Sequence, residues 1–175
     1  MPDAFDVFNI EPHFDIDLAD LDRRQRRWLA ELHPNRRSTP ALELMKSNES
    51  FAKQGEIHEA YRQLRDPVTR AELLLERRGY RITLAQSPEL LTRIFEQREA
   101  MEQALMHGDL PKLSACVGGA RARQAELNRI LVAHFDRHGT ETGAQPQADI
   151  NLVVQELRYL SKIVQRGEQA LDDLA

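Results

Sequence analysis

Residues 153–174 read VVQELRYLSKIVQRGEQALDDL, and within them Val153, Leu157, Leu160, Val164, Gly167, Leu171 and Leu174 recur in alternating steps of four and three. Such a spacing puts one stripe on one face of an α-helix and predicts a seam against partner helices. The same rhythm appears upstream at Leu113, Val117, Ala120, Gln124, Leu127, Leu131 and His134. A third amphipathic stretch, over about 88–107, carries Leu90, Ile94, Met101 and Leu105. Three helices, at about 88–107, 109–138 and 147–174, therefore form a three-helix bundle, with Gly139 to Pro146 as the turn before the last. Gly118-Gly119 weakens the middle helix locally.

Upstream of the bundle, residues 79–87 hold Tyr80, Ile82 and Leu84, a stretch too short for a domain and too apolar for a free linker. They read as a connector packed between helical units. Before it, a helix over 68–78 carries Ala71, Leu74 and Leu75 and ends at Gly79. A long helix over about 41–65 shows Ile57, Ala60, Tyr61 and Leu64 on one face, with Leu44 and Phe51 off it and a bend or break expected near Gly55. His33 to Pro40 is a loop, because prolines bracket it and disfavour helical geometry at His33. A helix over 17–32 has Asp17 as N-cap and a stripe of Leu18, Leu21, Trp28, Leu29 and Leu32, interrupted by Gln25. Phe5, Val7, Phe8 and Ile10 make a short apolar turn. The fold class is all-α, with no strand-like alternation and no repeat: a hairpin unit over 1–78, a connector over 79–87 and a bundle over 88–175.

The 175 residues carry a net charge of −4 and 41% hydrophobic residues, enough for a modest core. No apolar run approaches the roughly 20 residues a membrane helix needs. The acidic start Met1-Pro2-Asp3 lacks the features of a secretory signal, so a cytoplasmic location is expected. The single cysteine, Cys116, excludes an internal disulfide and reads as a small core residue. His134 and His138 stand four apart without a third ligand, which fits a capping or exposed role better than a metal site. With no phosphate loop, metalloprotease helix or nucleophile elbow, the chain is expected to need no cofactor, hold no metal and catalyse no reaction of its own.

Two stretches exceed what packing demands. The first is Arg23-Arg24-Gln25-Arg26-Arg27-Trp28-Leu29-Ala30-Glu31-Leu32-His33-Pro34-Asn35, followed by Arg36 and Arg37. Arg23 and Arg27 project almost opposite the apolar stripe. This stretch resembles the second helix and His-Pro-Asp signature of a J-domain, and Ile57-His58-Glu59-Ala60-Tyr61-Arg62-Gln63-Leu64-Arg65-Asp66-Pro67 resembles the end of its third helix. The resemblance implies that Arg23, Arg24, Arg26, Arg27, His33, Pro34 and Asn35 contact a DnaK-type chaperone and trigger its ATP hydrolysis. Asn35 stands where the family carries aspartate. A neutral amide forgoes a charge-assisted bond, so either the chaperone compensates or stimulation is weak.

The second stretch is Leu90-Leu91-Thr92-Arg93-Ile94-Phe95-Glu96-Gln97-Arg98-Glu99-Ala100-Met101-Glu102. Leu91 lies about 60° and Phe95 about 100° from Ile94 around the helix, as Tyr159 does from Leu160. Periodicity alone leaves two readings: a partner-binding patch, or burial in broad bundle faces. The stretch resembles the HscB family's Leu-x-x-x-Leu-Glu-x-Arg-Glu, and Leu157-Arg158-Tyr159-Leu160-Ser161-Lys162-Ile163 resembles its Leu-Arg-Phe-Leu-x-Lys-Leu. Val68-Thr69-Arg70-Ala71-Glu72-Leu73-Leu74-Leu75 also resembles the family's Arg-Ala-Glu-x-Leu-Leu segment. The resemblance to this family of J-domain co-chaperones of iron–sulfur cluster assembly spans nearly the whole chain. It implies that Leu91, Phe95, Glu96, Glu99 and Tyr159 bind an IscU-type scaffold, for presentation to an HscA-like chaperone. Thr92 replaces an apolar family residue and Gln103 an acid. Two other functions fit the residues less well: a degenerate J-like protein that binds client or chaperone with little ATPase stimulation, and a nucleic-acid-binding helical protein, which the acidic balance disfavours.

Overall fold

Among the described residues, helix starts are set by short polar side chains. In the computed structural model, which describes residues 3–32, 40–80, 87–137 and 146–174, Asp3 and Asp6 form a reciprocal capping box that opens α1 (Ala4–Phe8). Side chains are described for all of these except 40–50, 137, 146–148 and 174. Asp17 accepts from the amides of Ala19 and Asp20 and opens α2 (Leu18–Glu31). Then come α3 (Pro40–Arg65), α4 (Pro67–Arg77), α5 (Pro88–Met106), α6 (Leu110–Arg137) and α7 (Pro146–Leu174). Among the described residues the protein is all-α, seven helices without a strand, and no helix is long and apolar enough to cross a membrane. The chain divides into two units, Met1–Leu74 and Leu75–Ala175.

In the first unit, α2 and α3 form a hairpin to which α1 is packed, around Phe5, Phe8, Leu21, Ile57, Ala60 and Leu64. Polar clasps fix the hairpin's register. Tyr61 donates to Asp22 at 2.7 Å, and Arg65 pairs with the same carboxylate at 2.9 Å. Arg70, at the start of α4, is buried over the Phe14 ring at 4.9 Å and donates to the Leu64 carbonyl at 2.6 Å. That burial pushes its guanidinium below its usual range.

The sequence reading of α2 needs correcting. Leu18 and Trp28, expected in the core, are 41% and 42% exposed, and of α2 only Leu21 is buried. Five residues of α1 cannot cover four turns of α2. Trp28 instead lines an open groove with Val7, Leu32 and Ile57. Phe51 is exposed, in line with its position off the apolar face. The break expected near Gly55 is absent, for α3 runs through it.

In the second unit, α5, α6 and α7 make the three-helix bundle. Gly108, at φ +62°, closes α5: its amide bonds the Leu105 carbonyl and that of Asp109 the Ala104 carbonyl, a turn that L side chains resist. The seam of α6 is as read through Leu131, but Phe135 rather than His134 is the buried residue of the next turn, gripped by Arg78 over its ring at 4.7 Å. In α7 the seam begins at Ile150 and Val154, not Val153, and Ile163 is buried more deeply than Val164. Helices α6 and α7 approach closely at Gly167, where a Cβ would lie 2.4 Å from Val117 Cγ2. Cys116 is half-buried rather than a core residue. The connector's Ile82 and Leu84, the turn over 139–145 and His138 lie outside the described residues.

Candidate partner-binding surfaces

The basic face of α2 is less free than its composition implies. Arg24 pairs with Asp20 at 2.6 Å and donates to the carbonyls of Phe8 and Asn9, both at 3.1 Å. It thereby satisfies carbonyls at the end of α1 that have no helical partner. Arg23 shares Asp20 at 3.0 Å and reaches Asp17 at 3.7 Å. Asp20, held chiefly by its bond from Arg24, titrates below the usual carboxylate range. Arg27 is paired with Glu31 at 3.0 Å, while Arg26 donates only to the Asp22 carbonyl and has no carboxylate partner among the described residues. The exposed cations on this face are Arg23, Arg26 and Arg27; Arg24 is half-buried. His33, Pro34 and Asn35, with Arg36 and Arg37, lie outside the described residues.

The surface on α5 and α7 is defined throughout. Ser87 caps α5 and Pro88 takes its first position, which fixes where the helix starts. Leu90, Met101 and Ala104 then face inward. Leu91 is 49% exposed, Phe95 72% and Tyr159 38%, so burial in broad bundle faces is not their fate. Glu96 and Glu99 are exposed alongside Phe95. Thr92 bonds back to the Pro88 carbonyl at 2.9 Å, and Gln103 bonds Glu99 at 3.4 Å.

Two ion pairs set how α5 and α7 align. Arg93 reaches Glu156 at 3.4 Å, and Glu102 meets Arg166 at 2.8 Å. Partner numbers rise together, so the helices are parallel. Phe95 lies seven residues before Glu102, and Tyr159 seven before Arg166. Seven residues is nearly two full turns, which returns each aromatic to the face of its ion-pair partner about 10.5 Å back along the axis. The register therefore sets Phe95 and Tyr159 side by side on one flank, with Leu91 one turn away, and the result is an apolar step with an acidic edge.

The sequence reading missed the polar node behind this flank. Glu156, 8% exposed, receives Arg123 from α6 through two bonds, at 2.8 and 3.0 Å, in addition to Arg93 from α5. Arg123 also holds Glu126 at 2.8 Å. The bond to Glu156, chiefly, holds the Arg123 guanidinium above its usual range. The available signal was an acid directly beside the seam residue Leu157, with an arginine one position before the seam residue Gln124. Among the described residues no group of three or more histidine, cysteine or acidic side chains could hold a metal ion.

No family model matches the chain. A co-chaperone protein HscB homolog of Neisseria meningitidis is 29% identical over 175 residues, which cover 98% of this chain and 100% of the relative. One from Cupriavidus taiwanensis is 28% identical over 178 residues, covering 98% of this chain and 95% of that one. Among solved structures, the chaperone HscB from Vibrio cholerae matches with a TM-score of 0.78 at 22% identity over 99% of this chain and 100% of that one. The human co-chaperone protein HscB matches with a TM-score of 0.71 at 19% identity, covering 97% and 84%. These likenesses are to co-chaperones, and the all-helical fold is the one the chain shares with them. Over nearly its whole length the chain is similar to HscB co-chaperones.

Proposed function

We propose that the chain binds an IscU-type iron–sulfur scaffold and presents it to a DnaK-type, HscA-like chaperone in the cytoplasm, promoting ATP hydrolysis and cluster transfer. In this reading a J-like unit through about residue 78 is joined by a connector over 79–87 to a scaffold-binding bundle over 88–175. Leu91, Phe95, Glu96, Glu99 and Tyr159 meet the scaffold. Arg23, Arg26 and Arg27, with His33, Pro34 and Asn35, meet the chaperone, and Arg24 supports that face by anchoring α2 to the end of α1. The observation that carries the reading is the exposed, aligned pair Phe95 and Tyr159 at 72% and 38%. An apolar step with a polar rim is a partner-binding surface. The protein breaks no bond; hydrolysis belongs to the chaperone.

A second reading, in which the chain binds both partners with little stimulation, is favoured by Asn35. An amide accepts a hydrogen bond without the charge that raises the worth of such a contact from roughly 0.5–1.5 to roughly 1.5–3 kcal/mol. One experiment decides: single-turnover ATP hydrolysis by the chaperone, with and without scaffold, using the natural chain and Asn35→Asp. Under the second reading, Asn35→Asp raises stimulation about tenfold or more, equivalent to about 1.4 kcal/mol, at unchanged scaffold affinity. Full, equal stimulation by both chains supports a compensated chaperone interface. No scaffold affinity in either chain would sink the adaptor reading altogether.

A further inference from the structure

Among the described residues Glu156 is the sole buried acid, and its surroundings draw on all three bundle helices. Arg123 of α6 grips both carboxylate oxygens side-on, and Arg93 of α5 reaches one of them. A forked contact of this kind fixes distance and rotation together. Apolar seams do not: a stripe of leucine and valine can slide or turn against its neighbours with little change in buried area. A single buried polar group at such a seam sets the register, because every slipped arrangement strands it without partners. Glu156 precedes Tyr159 by three residues on α7, and Arg93 precedes Phe95 by two on α5, so the node lies within one turn of both aromatics.

We infer that Glu156 is a positioning residue: its clasp by Arg123 and Arg93 holds α7 at the axial height and rotation that set Tyr159 beside Phe95. The partner surface then depends on a carboxylate facing the bundle interior, away from that surface. Only this last consequence rests on the scaffold-binding reading; the register role concerns the bundle itself.

The test separates the two. In a Cys116→Ser background, nitroxide labels on Phe95→Cys and Tyr159→Cys report their separation by continuous-wave electron paramagnetic resonance. Unlabelled chains in parallel report affinity for purified IscU-type scaffold and thermal stability. With Glu156 intact, one narrow short-distance population is expected. Glu156→Leu should broaden it and weaken scaffold binding roughly three- to tenfold. Stability should fall as well, because removing one partner strands the other charges, but the loss is limited by the exposure of the Arg93 and Arg123 side chains, 55% and 31%, which keeps both hydrated. Glu156→Gln, which keeps the shape and an acceptor for Arg123, should fall between and decides the matter if the leucine variant does not fold. An unchanged label separation in both variants overturns the register role. Lost register with unchanged affinity overturns its link to recognition. If the natural chain has no affinity for the scaffold while the separation still follows Glu156, the scaffold reading fails and the positioning role stands.

Discussion

Gly167→Ala sets two effects of opposite sign against each other. In the interior of an exposed helix the change would add about 1 kcal/mol of stability, because alanine surrenders less backbone freedom. At this site the new Cβ would sit 2.4 Å from Val117 Cγ2, 3.8 Å from Val117 Cβ and 3.7 Å from Met101 Sδ. The valine cannot turn away cheaply, since a β-branched side chain in a helix has one strongly preferred rotamer and Val117 is 5% exposed. Helix α7 must therefore move off α6. Overpacking of this kind costs about 1–3 kcal/mol, with stiffness placing this case in the upper half. The net expectation is a loss of about 1–2 kcal/mol, or a fall in Tm of about 2–8 °C at 2–4 °C per kcal/mol. Urea unfolding monitored by helix signal should show a lower midpoint at unchanged slope. The double variant Gly167→Ala, Val117→Ala should recover part of the sum of the two single losses, because removing the γ-methyls removes the clash. A Gly167→Ala chain as stable as the natural one, or losses that simply add, would refute the close-approach argument.

Gly118→Ala and Gly119→Ala invert that logic: nothing lies within 4 Å of either added Cβ, so each should stabilise the bundle by about 1 kcal/mol in the same urea assay. Phe95→Ala and Tyr159→Ala should each weaken scaffold binding by about 2 kcal/mol, measured calorimetrically, while the helix signal stays at the natural level. Asp20 has its carboxyl lowered chiefly by the Arg24 bond, so its contribution is present above the ordinary carboxylate range and lost as pH falls through it. Asp20→Asn should therefore lower stability at neutral pH and flatten its decline below about pH 4, as read from thermal melts across pH.

How legible each element was depended on whether burial followed one stripe. Most of α6 could be read from its spacing because Leu113, Val117, Ala120, Leu127 and Leu131 are buried on one face. The start of α7 could not: Ile150, Asn151, Val154, Gln155, Glu156 and Leu157 are all buried, so the helix is enclosed on more than one side and Val153 was an equally regular choice for the seam. The exposed patch was half legible. Rotation angles put Leu91, Phe95 and Tyr159 off the seam, but only the resemblance favoured exposure over burial, and the alignment of α5 with α7 required the ion pairs. On α2 the arginines were visible and their occupation was not. Asp20 lies four residues before Arg24, a spacing that fits a surface pair. The bonds from Arg24 to the carbonyls of Phe8 and Asn9 depend on where α1 packs, which no local pattern records.

Because α5 and α7 run parallel with α6 returning between them, the two aromatic halves of the patch are far apart in sequence and meet late. Synthesis at about 5–20 residues per second delivers Phe95 several seconds before Tyr159. In that interval the growing chain carries half a surface with nothing to hold its geometry. The α6–α7 hairpin closes through neighbouring segments, whereas pairing α7 with α5 must overcome a longer loop closure. On the scaffold-binding reading, a nascent or partly unfolded chain therefore cannot engage its partner through the complete patch. Capture by that patch would then be a property of the finished molecule, reached only once chain growth has delivered both aromatics.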